Sequence, residues 1–250
     1  MLRTTHSCLK AITFTLIAVP AVATITGCAG TGASEPLRMT ITRAEQQAMT
    51  PDQALERLVA GNERFTSGKS LRRDHPAQVR ATAESQYPYA VVLACIDSRT
   101  APEIIFDQGL GKLFVPRIAG NYAQVDLIGS MEFATAVAGA KLIVVLGHTN
   151  CGAINGACDG VELGNLTTVM NELRPAVESV QGIPGDRNSQ NAAFVAAVTE
   201  KNVHLTVQRI RTDSPIIREL EENGQVRIVG AIYDNATGGV DFLSDRRAAR

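Results

Sequence analysis

Two short stretches of the chain are almost wholly aliphatic, Tyr89-Ala-Val-Val-Leu-Ala94 and Lys141-Leu-Ile-Val-Val-Leu-Gly147. They restrict the fold more than any other feature. A strand with one face in water alternates apolar and polar residues, whereas these carry Val, Leu and Ile at successive positions and need cover on both faces. That is the pattern of inner strands in a parallel sheet. Lys112-Leu-Phe-Val-Pro116 and Gln225-Val-Arg-Ile-Val-Gly-Ala-Ile232 have the same character and supply two further strands. Helical patterns lie at about 101–108, 126–139, 165–181, 190–211 and 214–223. Strands alternating with helices predict an α/β domain with a mainly parallel sheet. A chain of 250 residues suits one such domain, and neither an internal repeat nor a linker divides it.

Reactive side chains stand at the ends of the two aliphatic stretches. Cys95 directly succeeds the first and His148 the second. In open α/β sheets ligand sites gather beyond the carboxyl ends of strands, so these residues, 53 positions apart, can converge. Cys151, three residues after His148, can reach the same ion from one loop. Thiolate sulfur and imidazole nitrogen suit Zn2+, and three protein ligands leave a fourth position open, as in catalytic sites. Spacing alone also allows Cys95 to be a small core hydrophobe. Cys95-Ile-Asp-Ser-Arg99 then sets a thiol, a carboxylate and a guanidinium on one tight loop. Asp97 and Arg99 form either a surface salt bridge of little weight or a charged pair beside a metal. The 24 basic and 25 acidic residues nearly cancel and form no basic block, which excludes a nucleic-acid partner. The five cysteines, Cys8, Cys28, Cys95, Cys151 and Cys158, are an odd set that does not read as a disulfide framework.

The amino terminus has its own logic. Arg3 and Lys10 precede an apolar stretch from Ala11 to Ala23. A spanning helix needs about 20 apolar residues, so the stretch is a secretory signal and not a membrane span. Ile25-Thr26-Gly27-Cys28 resembles the lipobox of bacterial lipoproteins. That resemblance implies a signal peptide over 1–27, a lipid anchor on Cys28 as the only membrane contact, and a periplasmic or cell-envelope location. Ala29, where no Asp signals inner-membrane retention, points to the outer membrane. The other reading is a plain signal peptide cut nearby, with Cys28 incidental. Residues 28–41, rich in Gly, Ala, Ser and Thr, read as a flexible tether. Thr50-Pro51-Asp52-Gln53 is a helix start, followed by an apolar face of Ala54, Leu55, Leu58, Val59 and Phe65. Residues 66–86 are polar and read as a loop that carries Arg72, Arg73 and His75.

Cys95-Ile-Asp-Ser-Arg99 together with Gly147-His-Thr-Asn-Cys-Gly152 resembles the zinc signature of the β-class carbonic anhydrases. The resemblance runs in the family's order through Glu103-Ile-Ile-Phe106, Leu113-Phe-Val-Pro-Arg-Ile-Ala-Gly-Asn121, Ser130-Met-Glu-Phe133, Gly156-Ala-Cys-Asp-Gly-Val-Glu-Leu-Gly-Asn165 and Val229-Gly-Ala-Ile-Tyr-Asp234. It implies a catalytic domain over 42–250, with four parallel strands, a fifth at the edge, and flanking helices. It also implies one Zn2+ per subunit on Cys95, His148 and Cys151, and a homodimer, sometimes paired into tetramers, whose amino-terminal arm, here 42–65, wraps the neighbour. The implied reaction is reversible hydration of CO2 to bicarbonate and a proton by zinc-bound hydroxide. Two thiolate ligands cancel the formal charge of Zn2+, so the centre acidifies its water less than three histidines would, and activity is expected to rise into mildly alkaline pH.

Further roles come with the resemblance. Arg99 would hold Asp97 off the metal through a two-pronged pair, leaving Asp97 to orient the attacking group. Gln86 matches a substrate-binding glutamine; its other reading is a loop side chain facing water. Gly152 would let backbone approach the substrate, and Phe114, Ala119 and Phe133 match the lining of an apolar CO2 cavity. Many relatives carry Val and Tyr at the last two, so a hydroxyl is missing here. A regulatory bicarbonate site of one subgroup needs Trp three residues before the first cysteine, where this chain has Val92, so that site is not expected. Cys158 is expected as a plain thiol in a loop, and His204 in a helix. Two rivals stand beside CO2 hydration: hydrolysis of CS2 or COS on the same fold, and a non-catalytic, zinc-stabilised binding module.

Overall fold

The aliphatic stretches pair into one sheet. The computed structural model describes residues 40–243; the signal segment, Cys28 and most of the tether lie outside them. Five strands, β1 (Ala90–Ala94), β2 (Leu113–Phe114), β3 (Leu142–His148), β4 (Arg227–Tyr233) and β5 (Val240–Phe242), are ordered β2-β1-β3-β4-β5. The first four are mutually parallel and β5 runs antiparallel to β4 at the edge. This is the architecture the sequence predicts. Every residue of β1 and β3 is buried, which is why those segments carry no alternating polar positions.

Nine helices pack around the sheet among the described residues: α1 (Arg43–Ala48), α2 (Pro51–Thr66), α3 (His75–Thr82), α4 (Pro102–Ile105), α5 (Val125–Glu132), α6 (Gly152–Cys158), α7 (Leu166–Ser179), α8 (Ala192–Asp213) and α9 (Pro215–Glu222). On one face Ala54 and Leu58 of α2 meet Phe106, Val92 and Val144. On the other, Val203, Val207 and Ile210 of α8 and Met131 of α5 meet Val91, Leu93, Ile143 and Val145. Cys95 and Cys151 lie in a third cluster with Ile154, Met170, Leu173 and Phe194. The fit of α8 on the sheet depends on two strand glycines. A Cβ on Gly147 would lie 2.7 Å from Val203 Cγ2, and one on Gly230 2.6 Å from Val203 Cγ1.

Four expectations are corrected. Within the segment read as a loop, residues 66–86, the chain forms α3, with His75 as its first residue. Asp74 caps it by accepting from the Ala77 N–H at 2.9 Å, and Pro76 sits in its first turn. Cys158 ends α6 and is not in a loop. The helix expected over 126–139 stops at Glu132 and widens into a π-helical turn, Phe133–Val137. Residues 42–65, expected as an arm to a neighbour, also make contacts within their own chain. Ala54 and Leu58 are fully buried, and the Gln46 side-chain amide donates to Pro88 O at 2.7 Å and Ala138 O at 2.8 Å. The segment's apolar face complements the chain's own sheet, while Val59, expected on that face, is 36% exposed. Among the described residues no helix is long and apolar enough to cross a membrane.

Candidate metal centre

Parallel pairing of β1 with β3 sets their carboxyl ends side by side, with Ala94 opposite Leu146. Cys95 leaves β1 at that end and His148 is the last residue of β3. Asn150, at φ 55°, turns the chain so that Cys151 comes back as the N-cap of α6. Asn is one of the few residues that accept this left-handed conformation readily. All three side chains are buried, their ligand atoms lie within 4.8 Å of one another, and the two sulfurs are 4.0 Å apart. A tetrahedral ion with Zn–S bonds of about 2.3 Å would hold two sulfurs about 3.8 Å apart. His148 Nε2 is buried with no hydrogen-bond partner among the described residues, and both cysteines are free thiols. A soft donor set of two sulfurs and an orphaned imidazole nitrogen fits zinc.

Electrostatics already favour a thiolate. The Cys151 thiol, His148 and the Gly120 N–H, 3.4 Å from its sulfur, bring Cys95 well below an ordinary thiol against the opposing effect of burial. Cys151 is pushed up by its bond to Cys95 and by burial. The opposite directions of the two thiols show that two adjacent thiolates repel, which a cation between them would relieve.

The loop after Cys95 is tightly held. Arg117 donates from Nε to Cys95 O at 2.8 Å and from Nη2 to Asp97 O at 2.6 Å. Arg99 grips Asp97 in two prongs, Nε to Oδ1 at 2.9 Å and Nη2 to Oδ2 at 2.8 Å, while its backbone N–H donates to Oδ1 at 3.0 Å. Arg99 Nη2 also reaches Asn150 O at 3.3 Å, joining the two ligand loops. Arg99 keeps the Asp97 carboxyl well below the usual carboxylate range, outweighing burial. Asp97 Oδ2 lies 3.9 Å from His148 Nε2, beside the three-ligand cluster and outside it. This is the charged pair beside a metal that the sequence allowed, and not an isolated surface bridge.

The other predicted residues are dispersed. Gly152 follows Cys151, is exposed, and has nothing within 4 Å of where a Cβ would sit, so its side of the cluster is open. Ala119 is half-buried beside Gly120. Phe114 and Phe133 meet edge to face, centroids 6.2 Å apart, in an open cleft of ≈ 770 Å³ lined also by Val91, Pro116, Val125 and Leu127. Gln86 is exposed and precedes the amino end of β1, whereas Cys95 leaves its carboxyl end. At about 3.3 Å per residue the strand keeps them roughly 16 Å apart, so within one chain Gln86 is not brought to the ligands.

Sequence reasoning missed the roles of Arg117, which holds the Asp97 loop, and of Thr149 and Asn235. His148 Nδ1 lies 3.0 Å from Thr149 O and 3.2 Å from Asn235 Nδ2, and that amide donates to Thr149 O at 2.6 Å. The Asn235 N–H donates to Thr149 Oγ1 at 3.0 Å, and that hydroxyl donates to Asp234 Oδ1 at 3.2 Å. With Nε2 bare for a metal, Nδ1 carries the proton and donates to Thr149 O, the same carbonyl that accepts from Asn235 Nδ2, so the turn after β4 holds the acceptor that orients the ring. Asn235 lies 87 positions from His148, and only the β3–β4 pairing joins them.

The family model described as carbonic anhydrase matches residues 90–240. Carbonic anhydrase 2 of Mycobacterium tuberculosis is 39% identical over 187 residues, covering 73% of this chain and 88% of the relative. A carbonic anhydrase of Mycolicibacterium smegmatis is 35% identical over 195 residues, covering 78% and 94%. The fold is similar to a β-carbonic anhydrase of the fungal pathogen Aspergillus fumigatus, with TM-score 0.59, 25% identity and coverage of 78% of this chain and 94% of that one. It is also similar to tetrameric β-carbonic anhydrases of Sordaria macrospora, with TM-score 0.59, 22% identity and coverage of 76% and 97%. A Cys-His-Cys cluster at the carboxyl ends of β1 and β3, the carboxylate and guanidinium beside it, and these likenesses over most of the chain lead to one assignment: the chain belongs to the β-carbonic anhydrase family.

Proposed function

We infer that the chain hydrates carbon dioxide reversibly to bicarbonate and a proton. The observation that carries this is Asp97, held by two prongs of Arg99 at 3.9 Å from His148 Nε2, beside a cluster of only three ligands among the described residues. A structural zinc site closes with four protein ligands and needs no such pair, which weighs against a mere binding module. When bound on Cys95, His148 and Cys151, zinc would act as the Lewis acid that lowers the pKa of water and so supplies hydroxide near neutrality. The chain's residues do the rest. Asp97 stays ionised and accepts a hydrogen bond from the attacking group, fixing its direction. Arg99 and Arg117 hold Asp97 and its loop. Asn235 and Thr149 keep the His148 ring in register. Gly152 leaves room at the mouth.

Finer readings are proposals as well. The chain self-associates, supported by exposed Val125 and Phe133, which share a cleft with Phe114 of the edge strand β2, and by the tetrameric relatives. Gln86, remote from its own ligands, then serves a neighbouring copy. The protein is exported and anchored through Cys28, supported by the lipobox-like Ile25-Thr26-Gly27-Cys28. Mass spectrometry of the mature amino terminus tests this, and an unmodified Cys28 refutes the anchor. The activity is tested by stopped-flow CO2 hydration on zinc-loaded protein lacking residues 1–28, in parallel with CS2 turnover. Fast hydration without CS2 turnover is expected. No hydration by the fully loaded protein overturns the proposal, and CS2 turnover alone moves it to the hydrolase.

A further inference from the structure

Helix α8 buries a row of side chains, among them Phe194, Val198 and Val203, and one amide, Asn202. Asparagine is a poor helix former and costly to bury unpaired, so its place in mid-helix needs a cause. Thr199, a turn earlier, bonds back within the helix, its hydroxyl donating to Val195 O at 2.9 Å. Asn202 reaches outward instead. Its Nδ2 donates to Gly120 O at 2.8 Å, 82 positions away, in a buried bond.

Gly120 lies in the loop after β2, which the Ile118 N–H ties to the end of β1 by donating to Ala94 O at 3.1 Å. Within that loop the Asn121 N–H donates to Ile118 O at 3.0 Å and closes a turn with Gly120 third. The φ of Gly120, 81°, is the positive value that a type II turn needs at this position and that glycine supplies. Leu173 of α7 fills the place of a side chain, its Cδ1 2.8 Å from where a Cβ would stand. The peptide after Gly120 is thus bonded at both ends, its oxygen to Asn202 and its N–H to Ile118. So held, Gly120 aims its own N–H at Cys95 Sγ, 3.4 Å away in a buried contact. Two hydrogen bonds therefore join the middle of α8 to a metal ligand. A hydrogen bond to a ligating sulfur draws electron density from it, and proteins tune metals by such bonds. A sulfur that gives less leaves the metal a stronger Lewis acid, which matters most where two thiolates cancel its formal charge.

We propose that Asn202 is a positioning residue of the metal centre: by holding the Gly120 carbonyl it keeps the Gly120 N–H on Cys95 Sγ, and so limits the charge that this sulfur gives the metal. Asn202 acts only through Gly120 and has no contact with substrate to make. The inference deepens the reading of Cys95, His148 and Cys151 as a catalytic zinc centre and rests on it.

The test replaces zinc by cobalt in the full-length protein, where the sulfur-to-metal charge-transfer band reports how firmly sulfur holds its electrons. Asn202→Leu keeps the branched shape of the side chain and removes its donor. Its band should move to longer wavelength than the parent's, and CO2 hydration by the zinc-loaded variant should fall about tenfold or more. Val207→Ala loosens the same helix where it packs on the sheet, away from Gly120, and should leave the band in place. Where Asn202→Leu does not fold, Asn202→Ser, whose side chain is too short to reach Gly120 O, is read instead with the same expectation. A shifted band with slowed hydration, absent from Val207→Ala, upholds the role. A band or a rate equal to the parent's, or a band that moves as far in Val207→Ala, overturns it and leaves the zinc centre standing. A parent that takes up no cobalt sinks the zinc centre and this role together. The band needs no turnover, so a parent that binds cobalt but fails to hydrate CO2 refutes the assigned reaction, and the band alone then decides on Asn202.

Discussion

Gly147 immediately precedes a metal ligand, and α8 rests where its side chain would be. In Gly147→Ala the new Cβ starts 2.7 Å from Val203 Cγ2 and 3.5 Å from Thr199 Cγ2. Carbon atoms pack best at about 3.5–4.0 Å, so Val203 must retreat by roughly 1 Å or β3 must bow. Neither element is free to move, since β3 is buried throughout and Val203 is fully buried. Overpacking of this kind costs about 1–3 kcal/mol. Val203→Ala alone removes two methyl groups, worth about 0.8 kcal/mol each in transfer plus a cavity term, for roughly 2–3 kcal/mol. The double variant puts the new methyl into the space Val203 vacates. It should be no less stable than Val203→Ala, a favourable coupling as large as the Gly147→Ala cost, about 1–3 kcal/mol. Urea unfolding of the metal-free proteins measures this. Zinc competition against a chromophoric chelator reads the consequence for His148: affinity about tenfold weaker in Gly147→Ala and recovered in the double variant. Additive destabilisation, or zinc affinity unchanged in Gly147→Ala, would refute the notch.

Arg99→Ala should leave zinc content unchanged while CO2 hydration falls about 10–100-fold, because a freed Asp97 can turn toward the fourth position. A changed visible spectrum of the cobalt-substituted variant is the accompanying sign, and full activity would remove the role assigned to Arg99. Asn235→Ala should release zinc to a chelator about tenfold more readily, with the Asp97–Arg99 pair intact; equal retention would make Asn235 a bystander. Asp107→Asn strips the shared counter-charge from Arg64 and Arg73 and should destabilise the metal-free protein by about 3–5 kcal/mol. Burial pushes the Asp107 carboxyl up, but Arg73 and Arg64 outweigh it and hold it below the usual range. Its contribution is thus complete above the unfolded value of about 3.9 and is lost as pH falls through the lower folded value. Unfolding midpoints of the variant should depend less on pH below about 4 than those of the parent, and identical pH dependence would contradict the assignment.

The sheet was readable because burial on both faces leaves its mark in single residues, Val91-Val92 and Ile143-Val144-Val145 having no polar neighbours between them. The ligands were readable because strand ends are where such sheets carry chemistry. Helix α3 escaped notice because only Gln78 of its eight residues is buried, which leaves no apolar period to detect. Its start was still written in Asp74 and Pro76. Helix α6 was hidden by Gly152 and Gly156, poor helix formers. Gly156 has a packing reason, since a Cβ there would stand 3.2 Å from Met170 Sδ. The place of Gln86 depends on chain direction, which a motif does not record. Asn235 was invisible because its partner is set by the register of β4 on β3, a tertiary fact.

The three ligands have a consequence for the order of events during folding. Cys95 and His148 stand at the ends of adjacent strands but are separated by 53 positions of chain, a span that holds α4, β2 and α5 and must be closed before β3 can lie beside β1. Parallel pairing over such a span is slow, because the entropy of closing the segment is lost before its contacts form. His148 and Cys151 alone offer an ion only half a site. Metal capture therefore times the completion of the sheet and cannot nucleate it, so uptake by refolding chains should track the slow folding phase at every zinc concentration. A one-residue slip of β3 on β1 would turn His148 to the opposite face, and the ion would reject that chain. The zinc site thus acts as a proofreader of strand register as well as a place of reaction.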